Sequence, residues 1–121
     1  MGGEIVELTT RNELKEYIKK NGTVVVKVSA TWCGPCQKIK GLVNACFEEI
    51  SKDIKMVLVD KDKASDICNY LKVRSVPYLV NFIEGDQYDI CTSSRHEEVI
   101  TFFKSTNDRH VINFTNNLQL Q

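Results

Sequence analysis

Two cysteines two residues apart, in the run Trp32-Cys33-Gly34-Pro35-Cys36, are the side chains of this sequence best placed to do chemistry. The run stands where a β-branched, nearly continuous apolar stretch, Thr23–Ala30, gives way to helical periodicity. A thiol attacks only as the thiolate, and a helix start offers about half a positive charge and unpaired backbone N–H groups to hold that anion. Cys33 takes that end, as the nucleophile. Cys36, one turn on, is near enough to close a disulfide with little backbone movement and is the less exposed of the two, which makes it the resolving thiol. Gly34 permits a tight turn from strand to helix. Pro35, at the first helical position, lacks the N–H that would go unpaired there and presets φ.

Other uses of the pair fit less well. A zinc site needs a second ligand pair, and Cys46, Cys68, Cys91, His96 and His110 show no two-residue spacing, so no metal is expected. Haem attachment needs His directly after Cys36, where Gln37 stands. A purely structural disulfide is out of place in a reducing compartment. Redox exchange is left. The second proline, in Ser75-Val76-Pro77-Tyr78, opens a strand. A cis Val76–Pro77 bond would set the Val76 backbone beside Cys33, its N–H and C=O free to pair with an extended substrate. The other three cysteines read as packing residues, Cys46 as a small buried hydrophobe, with modification or dimerisation the lesser alternative for Cys68 and Cys91. His96 reads as a surface residue and His110 as a tail residue, neither a general base.

The elements that position this chemistry follow from periodicity. Glu4–Leu8 reads as a short strand, and Thr10 with Glu13 as a capping box opening a helix with Leu14, Tyr17 and Ile18 on one face. Thr23–Ala30 is a strand covered on both faces, with Lys27 its exception. A long helix follows to about Ser51, then a buried strand at Ile54–Asp60 and a short helix at Ala64–Leu71. Tyr78–Ile83 and Gln87–Cys91 form a hairpin around Glu84-Gly85-Asp86, and Ser94 with Glu97 is a second capping box, for a last helix ending near Ser105. The order β-α-β-α-β-α-β-β-α implies an α/β domain over residues 1–105, a mixed central β-sheet with helices on both faces. Residues 106–121, Asn/Gln-rich and weakly alternating, read as a C-terminal tail, loose or a short extra element.

Length and charge narrow the function. A single domain of 121 residues holds a core without disulfide staples, so the five cysteines need another explanation. Lys+Arg and Asp+Glu are equal at 16 each, which gives no net field for phosphates and argues against a nucleic-acid partner. The apolar runs are too short for a membrane span, and residues 1–20 are too charged for a secretory signal. Val6 stands where a myristoylation motif needs Ser or Thr. A soluble cytoplasmic protein is expected.

With WCGPC, the downstream Val76-Pro77 and the hairpin Gly85, the sequence resembles the thioredoxin family over about residues 4–104. The resemblance implies the thioredoxin fold and a monomeric protein-disulfide reductase with no bound cofactor beyond a redox-active Cys33–Cys36 disulfide. In such a protein Cys33 attacks a substrate disulfide, Cys36 resolves the mixed disulfide, and NADPH restores the dithiol through a thioredoxin reductase. Trp32, Gly34, Pro35, Val76 and Pro77 would line the docking surface for disulfide-containing protein substrates. The Gly34-Pro35 spacer is that of reducing members rather than oxidising relatives.

Several positions depart from the family pattern. Lys27 stands where the family has a buried Asp, and Leu58 where it has the paired lysine. Beneath the dithiol, Lys27 would favour the thiolate by its charge or, losing its own proton to desolvation, act as base; the alternative is an amine that snorkels to the surface. Ser29 replaces a second Trp, Tyr78 the Thr after proline, and Gly41 a helix-kinking proline, while a substrate-facing Gly aligns near Ser93. These changes alter the docking face. They also leave open a thioredoxin-fold module in which partner binding is primary and redox turnover secondary.

Overall fold

The computed structural model describes residues 1–119. Five strands, β1 (Ile5–Glu7), β2 (Thr23–Ser29), β3 (Ile54–Asp60), β4 (Tyr78–Ile83) and β5 (Asp86–Cys91), form one sheet in the order β1-β3-β2-β4-β5. Four helices accompany them: α1 (Arg11–Lys20), α2 (Gly34–Glu49), α3 (Ser65–Leu71) and α4 (His96–Gln119). β1, β3 and β2 run parallel, and β4 lies antiparallel to both β2 and β5. This is the mixed sheet that the order of elements implied.

Its centre explains the unbroken apolar run of β2. Successive side chains point to opposite faces, so Val24, Val26 and Val28 pack with Leu14, Ile18 and Ile67 under α1 and α3. Val25 faces the other way, among Ile39, Val43, Phe47, Phe102 and Phe103 of α2 and α4. Lys27 and Ser29 share the Val25 face, which carries them toward α2 and its cysteine. The α1 capping box forms as read: the Thr10 hydroxyl accepts the Glu13 N–H at 3.2 Å, and the Glu13 carboxylate accepts the Thr10 N–H at 3.1 Å. Between β4 and β5 the two-residue turn Glu84-Gly85 has φ of 51° and 84°, both in the left-handed region that a type I′ hairpin requires.

The last helix departs from the sequence reading. Where the pattern ends it near Ser105 and leaves 106–121 as a tail, residues 106–119 are further turns of α4. Polar residues that read as tail signals are anchors. The Thr106 hydroxyl, fully buried, donates to the Phe102 carbonyl and accepts from Asn81 Nδ2, each at 2.8 Å. Arg109 Nε donates to Asp89 at 2.8 Å, and His110 Nδ1 lies 2.7 Å from the buried Thr23 hydroxyl. Asn113 reaches Glu84 at 3.1 Å. The apolar residues Val111, Ile112, Phe114 and Leu118 stay about half exposed; Leu120 lies outside the described residues. The capping box read at Ser94 and Glu97 does not form among the described residues: Ser93 Oγ accepts the Arg95 N–H at 2.9 Å in the turn ahead of α4, and Glu97 pairs with the Arg95 guanidinium.

Candidate active site

β2 delivers the chain to the edge of the sheet, and within four residues α2 begins. Cys33 is the N-cap of α2 and its sulfur accepts the Cys36 N–H at 3.2 Å. A thiolate formed there meets that donor, the remaining unpaired N–H groups and the positive end of a 16-residue helix. Cys33 and Cys36 are joined as a disulfide, with Cα atoms 5.3 Å apart. The expected difference in exposure is absent, since both residues are 4% exposed. Their asymmetry lies in the cap: Cys33 is aligned with the helix dipole and its sulfur lies 3.7 Å from the Val76 carbonyl oxygen.

That carbonyl belongs to the Val76–Pro77 bond, which is cis. Val76 packs on Ala30, Cys33 and Cys36, and among the described residues its N–H has no hydrogen-bond partner. Trp32 is 62% exposed beside the dithiol. Its indole N–H donates to Asp62 at 2.8 Å, and Lys61 Nζ sits 5.8 Å from its ring centroid. Gly34 and Pro35 are exposed in the first turn of α2. The tight turn credited to Gly34 is not what needs glycine: its φ is not positive, and a Cβ there would meet nothing within 4 Å. What the missing side chain does is leave the surface over the disulfide clear.

Lys27, paired in register with Leu58 of β3 and Leu79 of β4, is half-buried. It lines a cavity of about 250 Å³ together with Cys36, Glu7, Lys40, Asp60 and Lys63. Burial, and secondarily Lys40, pushes its amine below the usual lysine range. Among the described residues no carboxylate lies within 4 Å of it. Asp62, Lys40 and Lys63 were missed from sequence. Their signal was topological: β1, β2 and β3 are parallel, so their C-terminal ends converge on one edge, the edge where open α/β sheets hold ligands.

The remaining cysteines are packing residues: Cys68 and Cys91 are buried in the core, and Cys46 is half-buried against it. Burial pushes all three thiols up, away from reactivity. Among the described residues no group of three or more His, Cys, Asp or Glu side chains could hold a metal ion, and no helix is long and apolar enough to cross a membrane.

Comparison with known proteins agrees with this geometry. The thioredoxin family model matches residues 5–105. The chain belongs to the thioredoxin family. A thioredoxin of Mycoplasmoides gallisepticum is 39% identical over 85 residues, covering 68% of this chain and 81% of that protein. The structure of reduced Schistosoma mansoni thioredoxin pre-protein superposes with a TM-score of 0.75 at 25% identity, covering 86% of this chain and 99% of the other. For Malassezia sympodialis thioredoxin the TM-score is 0.76 at 21% identity, over 85% and 93% of the two chains, a likeness of fold. With its dithiol at a helix start, this thioredoxin-family chain is a thiol-disulfide oxidoreductase that reduces protein disulfides. A dithiol reduces a substrate disulfide through a mixed disulfide: one sulfur attacks and releases a substrate thiolate, which takes up a proton. The second sulfur then attacks the first, releasing the other substrate thiol and leaving the Cys33–Cys36 disulfide seen here.

Proposed function

We propose that this protein is a cytoplasmic, monomeric electron carrier that takes reducing equivalents from NADPH through a thioredoxin reductase and delivers them to protein disulfides. The observation that carries the reading is the Cys33 sulfur at the N-cap of α2, beside a Val76 backbone whose N–H is unpaired among the described residues. An extended substrate strand pairs with Val76 ahead of Pro77, crosses the bare surface over Gly34 and Pro35, and rests against Trp32. Such a strand sets its disulfide in line with Cys33.

Lys27 acts in the second half of the cycle. Its half-buried amine opens into the same cavity as Cys36 and, among the described residues, lacks a carboxylate partner within 4 Å. Drawn toward its neutral form by burial, it takes the Cys36 proton and supplies the resolving thiolate.

Insulin-disulfide reduction with NADPH and a thioredoxin reductase tests the reading. Wild type should accelerate NADPH oxidation and insulin precipitation, and Cys33→Ser should not. Reduction by dithiothreitol but not by the reductase would overturn the electron source, and no acceleration by either would favour the binding-module alternative.

A further inference from the structure

We infer that the dithiol end of the molecule selects disulfides carried in acidic polypeptide segments, a substrate class that builds on the oxidoreductase activity above. Three segments distant in sequence frame Cys33: the first turns of α2, the loop after β3 and the loop before Pro77. They bring Lys38 and Lys40, Lys61 and Lys63, and Lys72 and Arg74, all exposed except the half-buried Lys61. Lys61 stands over Trp32, Lys40 and Lys63 line the Cys36 cavity, and Arg74 is two residues from Val76.

Three acids lie among these bases: Asp62 in the loop after β3, Asp60 at the end of β3, and Glu7, which lines the Cys36 cavity with Lys40 and Lys63. Asp62 holds the Trp32 indole, and Asp60 Oδ1 accepts the Asp62 N–H at 2.9 Å. The ion pairs among the described residues are Arg95–Glu97 and Arg109–Asp89, so none of the six bases is neutralised by a carboxylate within 4 Å. The rest of the chain carries ten basic and thirteen acidic residues. An even total thus hides a positive working face backed by a negative remainder. Charge on one face steers partners of opposite sign and raises association rates, while lysines around a thiol exchange site repel basic flanks.

Two cyclic disulfide peptides, identical except for Asp or Lys on both flanks, provide the test. The reduced protein is mixed with each in single turnover and followed by Trp32 fluorescence. The acidic peptide should react roughly tenfold faster at about 20 mM salt, with the ratio falling to about twofold or less at 0.5 M. In Lys63→Glu/Arg74→Glu, with folding checked by circular dichroism, the ratio should drop to about one or invert. Equal rates for both peptides at low salt, or a preference for the basic one, would overturn the charge selection alone. Reduction of neither peptide would overturn the reductase activity beneath it.

Discussion

Ending the chain after Ser105 removes nothing of the stretch that matches the family, and on a loose-tail reading it would cost no stability. The structure requires otherwise. Asn81, fully buried in β4, donates through Nδ2 to Thr106 and to Asp89. Without Thr106 one amide hydrogen is stranded, at about 1–2 kcal/mol. The fully buried Thr23 hydroxyl loses His110, at about the same cost. The Arg109–Asp89 pair is partly exposed and screened, so its loss adds about 0.5–1 kcal/mol. Together these come to about 2.5–5 kcal/mol, a large part of the roughly 5–15 kcal/mol that holds a domain folded. Urea unfolding of the oxidised protein, followed by Trp32 fluorescence, should place the truncated chain's midpoint about 2 M below that of the full chain, for a slope of about 2 kcal/mol/M. Disulfide reduction should survive wherever the truncated chain is folded, because these contacts gather at the start of β2 and Cys33 follows its end. A midpoint shift below about 0.3 M would refute the anchoring of the final turns.

Lys27→Met should move the pH midpoint of thiolate formation in the reduced dithiol upward, read by iodoacetamide alkylation; an unchanged profile excludes Lys27 from proton handling. Because burial pushes the Lys27 amine down, the unfolded chain binds that proton more tightly, so wild-type stability rises with pH up to the usual lysine range near about 10.4, a rise the Met variant should lack. Asp89 is held down to about 2, chiefly by Arg109. Its stabilisation is therefore present above about pH 4 and lost as pH falls toward 2, and Arg109→Gln should shift acid unfolding to higher pH in a far-UV titration. Gly41→Ala places a Cβ where nothing lies within 4 Å. It should stabilise α2 by about 0.5–1 kcal/mol and raise Tm by about 3–5 °C in calorimetry, whereas a fall would show that the helix depends on glycine there.

The reactive core was legible because its signals are local. Cys-x-x-Cys at a strand-to-helix junction, the Thr10/Glu13 box and the Glu84-Gly85 turn each rest on residues a few positions apart, and a both-faces-buried strand announces itself by composition. Misreadings arose where one residue type has two uses. Asn, Thr and His after Ser105 look like the composition of a loose end until Asn81, Asp89 and Thr23 come forward to receive them. Gly34 was credited to backbone freedom, though its use is the space it leaves.

By itself the sequence determined the dithiol at a strand-to-helix junction and the alternating order of strands and helices that carries it. Only the tertiary structure decided what surrounds that chemistry. Parallel pairing of β1, β3 and β2 gathers Glu7, Lys27 and Asp60 at one edge with Cys36. Chain reversal at Pro77 sets Val76 on Cys33, and three remote segments place six bases around it. A charge count along the chain averages such groups away, because electrostatic energy depends on distance in space and not on separation in sequence.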